Sequence, residues 1–175
     1  MMTYWLDANI FITAKNSIYA FEVNTTLWAW LDSQLRAKVV MSPARVYREI
    51  MEFKKDDPLK QWAITRKDVG LCAEPGKEVS HCLTAIANYL YTTTIPGKKS
   101  KKSELRYKPA QVEVFSRGAD AFVIAHAMAC KGTVVTFESD HCPDSQKIRI
   151  PDICAHFQVP CINLRQLLIA LNAKL

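Results

Sequence analysis

GADAFVIAHAMACKGTVVTFE, residues 118–138, is the stretch that decides the fold class. After Gly118 the chain is dense in alanine and long apolar side chains, which favour a helix. Asp120 falls in its first turn, where a carboxylate complements the helix dipole, and Lys131-Gly132 supplies a stop. Thr133 to Phe137 is then β-branched and aromatic, so one helix feeds one buried strand. The same grammar recurs outward from this unit. Thr3 to Leu6 reads as a strand ending at Asp7, with Ala8 and Asn9 leading into a helix. Leu27, Trp28, Trp30, Leu31 and Leu35 recur at helical spacing ahead of a second strand at Val39, Val40 and Met41. Ser42-Pro43 reads as an N-cap and first-turn proline opening a helix with Val46, Ile50 and Phe53 on one side. Near the C-terminus, Lys147 to Ile150 precedes a short helix opened by Pro151. A strand at Cys161 to Leu164 and a closing helix to Leu175 follow. Strands alternating with helices imply an α/β fold whose mostly parallel sheet is covered on both faces.

Between these units, residues 56–75 mix helical stretches with breakers, and Val79 to Tyr91 carries a helical period. Composition sets the broad class. In 175 residues, 49% hydrophobic content with 10% aromatics supports a sizeable core, and residues 1–175 read as one domain. The N-terminus lacks the features of a signal peptide, and no segment approaches the roughly 20 apolar residues of a membrane span. A cytoplasmic protein with no membrane partner is therefore expected. Its six cysteines are expected to be reduced thiols. The net charge of +6 is concentrated in a basic loop at about 96–108, where Lys98, Lys99, Lys101, Lys102, Arg106 and Lys108 accompany one acid, Glu104. Such a run either tracks phosphates or is a solvated loop. Tyr107 within it is a candidate for stacking a base.

Four acids carry the chemistry. Asp7 ends the first strand, Glu49 lies on or near the apolar stripe of the Ser42-Pro43 helix, Asp120 opens the 119–130 helix, and Glu138 follows VVTF, with Asp140 two residues on. Three of them have a local alternative: Asp7 as a helix cap, Glu49 as the ion-pair partner of Arg45 or Arg48, Asp120 as a dipole partner. Together they occupy strand ends and helix starts, where sites form in open parallel sheets. Converging carboxylates repel, and a divalent cation relieves the repulsion; hard oxygen donors suit Mg²⁺ or Mn²⁺ better than zinc. Asn9 and Thr136 are placed to support this network. A zinc site from His141, Cys142, Cys154, His156 and Cys161 lacks a CxxC knuckle. A haloacid-type phosphatase would need aspartate where Asn9 stands.

The motifs LDANIF (6–11), SPARVYREI (42–50), GADAFVIAHA (118–127) and VVTFESD (134–140), in this order, resemble the PIN-domain ribonucleases, in particular bacterial toxins of toxin–antitoxin pairs. The likeness runs on through IPDICAHFQVPCINLRQLL (150–168). It implies a three-layer α/β/α sandwich in which Asp7, Glu49, Asp120 and Glu138 hold catalytic Mg²⁺ or Mn²⁺ for hydrolysis of RNA. It also implies a cognate antitoxin protein, and a homodimer is a further expectation. The fourth acidic position, commonly aspartate or asparagine in that family, is Glu138 here, with Asp140 as a competitor. The basic loop is longer than a minimal member needs. Two other readings share the fold: a non-catalytic nucleic-acid- or protein-binding domain, and a DNA-directed nuclease.

Overall fold

The computed structural model describes residues 2–96, 103–138 and 146–175. Its centre is a four-stranded, all-parallel sheet of order β2-β1-β5-β6, built from β1 (Tyr4–Leu6), β2 (Val40–Met41), β5 (Thr133–Val135) and β6 (Cys161–Ile162). Successive side chains of a strand point to opposite faces. All three residues of β1 and all three of β5 are buried, so a layer of helices must cover each face. The result is the three-layer α/β/α sandwich.

Helices α1 (Ala8–Lys15) and α3 (Ala44–Met51) follow β1 and β2 directly, and α7 (Ala119–Cys130) leads into β5. Helix α7 is the most buried of these, because alanines on most of its surface let neighbours approach closely. It packs on β1 and β5 and lies beneath α5 (Lys77–Thr92) and α6 (Pro109–Arg117), and the Trp5 ring of β1 meets the His126 ring in a tilted arrangement with centroids 4.4 Å apart. A second packing centre joins α1, α2 (Thr25–Arg36) and α4 (Pro58–Ile64) through Phe11, Trp28 and Trp62, with Phe21 stacked on Trp28 at 3.8 Å. Among the described residues no helix is long and apolar enough to cross a membrane. The five cysteines among them are free thiols.

Several local expectations are corrected. Ser42 does not cap α3. Pro43 holds that position, and the fully buried Ser42 hydroxyl donates to the Leu6 carbonyl at 2.9 Å, tying the end of β2 to the end of β1. The last strand stops at Ile162 because Asn163 caps α9 (Leu164–Ala170): its side chain accepts from Gln166 N–H at 2.9 Å, and the Gln166 side chain accepts from Asn163 N–H. That closing helix ends at Ala170 rather than at the C-terminus. The basic stretch is flanked by an antiparallel hairpin of β3 (Thr94–Pro96) and β4 (Ser103–Leu105) rather than being loop throughout.

The turn from α7 into β5 leaves no room for a side chain. A Cβ on Gly132 would lie 2.5 Å from the Thr3 carbonyl, which accepts the Thr133 N–H that starts the β1–β5 ladder. Gly132→Ala is therefore expected to destabilise the fold by about 1–3 kcal/mol, read as a thermal midpoint lower by several degrees. An unchanged midpoint would show that the turn can move without disturbing the ladder.

Candidate functional site

Pairing of Leu6 with Val135 sets the ends of the two central strands side by side, so Asp7 and Thr136 leave the sheet together. Asp7 occupies the N-cap position of α1, yet its side chain makes no capping hydrogen bond. Instead Oδ2 accepts from the Thr136 hydroxyl at 2.9 Å. That hydroxyl also accepts from Asn9 Nδ2 at 3.2 Å and from the Glu138 N–H at 3.1 Å. A hydroxyl has one proton and two lone pairs, and all three are committed here. Asn9 completes the frame by accepting the Phe137 N–H at 3.0 Å. Thr136 is thus the hub that links Asp7, Asn9 and Glu138: it binds the Asp7 carboxylate directly, and Asn9 binds Thr136 and the Phe137 backbone.

Asp7 is 3% exposed. Burial, then the charge of Asp120, pushes its pKa up to about 7, with Glu138 adding a smaller push; the Thr136 hydroxyl and the Ala8 N–H offset only part of this. Burial followed by repulsion from Glu138 raises Asp120 to about 6, opposed by Lys147. Glu49 is raised by partial burial and by Asp120, while the Ala119 N–H favours its anion. Asp120 is the electrostatic centre: it acts on both Asp7 and Glu49 and feels Glu138. The four acids, from the ends of β1 and β5 and from α3 and α7, are linked pairwise by charge: Asp120 acts on Asp7 and Glu49, and Glu138 acts on Asp7 and Asp120.

Their environments differ from expectation in two respects. Glu49 is exposed at the edge of the site, not on the buried stripe. Val46 and Ile50, four residues apart, fill the core, and Glu49 sits one step round the helix from Ile50. Its proposed ion-pair partners are engaged elsewhere: Arg48 reaches Glu74 at 3.6 Å and Arg45 lies over the Phe122 ring. Glu138 has a structural task of its own, because Oε2 accepts the Ile150 N–H at 2.7 Å at the start of α8 (Ile150–His156). Its second oxygen remains the donor available to a cation. Among the described residues no group of three or more His, Cys, Asp or Glu side chains is arranged to hold a metal ion as the chain stands.

Of the remaining candidates, Asp140, Lys98, Lys99, Lys101 and Lys102 lie outside the described residues, as do His141 and Cys142. Arg106 is half-buried over the Tyr107 ring, and Lys108 is exposed at the N-cap of α6. Tyr107 is only 2% exposed and burial pushes its hydroxyl up to about 12, so its ring is core and cannot meet a base. Among the supposed zinc ligands, the Cys154 thiol donates to Cys161, while His156 stacks on Tyr89 at 3.6 Å. Sequence reasoning missed Lys147, whose charge opposes the rise of Asp120, and the cleft of about 570 Å³ that opens beside Glu49 and Asp120. The only sequence signal for Lys147 was a cation within KIRI, which resembles any solvated lysine.

The folded chain keeps a proton on Asp7 that the unfolded chain releases above its ordinary pKa of 3.8. This contribution to stability is fully present below pH 3.8 and is lost as pH rises through about 7. In metal-free buffer, Asp7→Asn is expected to be more stable than the parent at pH 8 by on the order of 2–4 kcal/mol, and the gain should vanish towards pH 4. Thermal melts across that range test it; a gain independent of pH would show that the Asp7 charge is not what strains the site.

A family model for a domain of unknown function, DUF4411, matches residues 4–175. No curated protein and no solved structure matches the chain. Since the match spans nearly its whole length, the chain belongs to the DUF4411 family.

Proposed function

We propose that this protein is a divalent-metal-dependent endoribonuclease of the PIN type, acting as the toxin of a toxin–antitoxin pair. The observation that carries the reading is a pair of carboxylates, the buried Asp7 and the half-buried Asp120, raised to about 7 and about 6 by desolvation and by neighbouring negative charge at the carboxyl ends of the central strands. A protein interior tolerates such mutual repulsion poorly unless a ligand relieves it. Hard oxygen donors with no nitrogen or sulfur among them suit Mg²⁺ or Mn²⁺. Asp7, Asp120, Glu49 and the second oxygen of Glu138 would hold the ion, with Asp140 as a further donor. When bound, it would supply charge to neutralise the carboxylates and the phosphodiester, and would acidify a water.

The chain's own residues divide the remaining work. Thr136 commits its single proton to Asp7 and so orients that carboxylate and offsets part of the rise in its pKa. Asp120 balances Lys147 against its acidic neighbours at the start of α7. Glu49, raised in pKa yet open to solvent, accepts the proton of the attacking water, because Glu138 already has one oxygen engaged by Ile150. The water oxygen bonds to phosphorus, the P–O3′ bond breaks, and the 3′ oxygen is protonated from solvent. Basic residues Arg106 and Lys108, with the lysines at 98–102, would track the RNA backbone, and a cognate antitoxin would cover the acidic site.

Purified protein is expected to cut a mixed RNA pool with Mg²⁺ or Mn²⁺ and not with EDTA, and Asp7→Asn is expected to lose at least about a hundredfold in rate while remaining folded. Melts should show metal-dependent stabilisation of the parent that is reduced in the variant. A folded parent that binds metal without cutting RNA would assign the chain to a non-catalytic binding role, and preferential cutting of DNA would reassign the substrate.

A further inference from the structure

The cleft beside Glu49 and Asp120 is chemically asymmetric. Its charged lining is the two acids and Lys147. The rest is largely apolar, from Val114, Phe115, Ala119 and Ile148, and Val114 is 74% exposed, an unusual degree for a valine beside a charged site. At about 570 Å³ the cleft is of the size that takes a small, flat organic group. One polar side chain stands among the apolar ones with its orientation determined. Gln111 Oε1 accepts the Lys108 N–H at 3.2 Å in the first turn of α6. The amide oxygen must face that donor, so the amide NH₂ faces away from it and is presented as a donor.

We propose that this cleft is a nucleobase pocket: it seats the base next to the scissile phosphate between apolar side chains, and the Gln111 NH₂ reads that base. The proposal rests on the ribonuclease reading above. A neutral planar base is the part of an RNA strand that can lie beside acidic groups without charge repulsion, and apolar faces are what it stacks on. The donor selects bases that present a carbonyl, such as the O4 of uracil, over those that present an amine at the same edge, such as adenine and cytosine. Proximity fits as well, since Glu49 and Asp120 belong both to the cleft and to the acidic cluster, so one nucleotide reaches both.

The test compares the parent with Gln111→Ala and Gln111→Glu. A carboxylate at 111 still accepts the Lys108 N–H but turns an acceptor, not a donor, towards the pocket. Fluorescence anisotropy with labelled oligo-U, oligo-A and oligo-C of about eight nucleotides in EDTA reads binding without cleavage. Sequencing of cut ends from a mixed RNA pool with Mg²⁺ reads site preference. The expected result is a roughly tenfold preference for oligo-U in the parent, lost in Gln111→Ala and reversed towards oligo-A and oligo-C in Gln111→Glu, with cut sites shifting alike. Val114→Asp should weaken all three oligonucleotides. If the parent cuts RNA and the variants keep its preference and affinity, the pocket is overturned while the nuclease stands, and the cleft belongs to another occupant such as a peptide side chain. If the parent neither binds nor cuts RNA, both readings fall together.

Discussion

The parallel pairing of β1 with β5 is the constraint on which the rest depends. Its register puts Leu6 opposite Val135, and the next residues along each strand, Asp7 and Thr136, meet through a 2.9 Å hydrogen bond. Other elements take their position from that edge. Ser42 anchors β2 to the Leu6 carbonyl and so places the start of α3, which carries Glu49. The Glu138 N–H binds back to Thr136, and the Glu138 side chain in turn receives α8. A one-residue slip of this pair would turn Asp7 to the wrong face and dissolve the hub.

The site's electrostatics follow from this geometry. A carboxylate at the end of a fully buried strand loses water on most sides, and here the neighbours that replace water include other acids. Thr136, the backbone N–H groups of Ala8 and Ala119, and Lys147 return part of that solvation. They are too few to bring Asp7 and Asp120 back to ordinary values. The protein therefore holds a cluster that is uncomfortable as it stands and improved by added positive charge, an arrangement that serves binding more readily than stability.

Much of the fold was legible because its cues are local. A run such as GTVVTF differs from ADAFVIAHAMAC in a way that depends on consecutive residues alone. The errors share one cause. Ser42 looked like a helix cap, and became a clamp on a strand from a distant part of the chain. Tyr107 looked exposed because lysines surround it, whereas the packing of the β4–α6 connection buries it. Glu49 looked buried from its apolar neighbours, and one step of rotation on a short helix put it at the rim.

What the sequence determined by itself was the alternation of strands and helices, hence the parallel sandwich, and the order of four acids along it, with Asp7 and Glu138 just past strands and Asp120 at a helix start. Only the tertiary structure decided what those acids would feel: that Thr136, 129 residues from Asp7, would bind it, that Ile150 would occupy half of Glu138, and that Lys147 would sit near Asp120. The reason is physical. Secondary structure is written in the spacing of neighbours, whereas burial, charge and hydrogen-bond partnership depend on distances through space that exist only once the sheet has chosen its register.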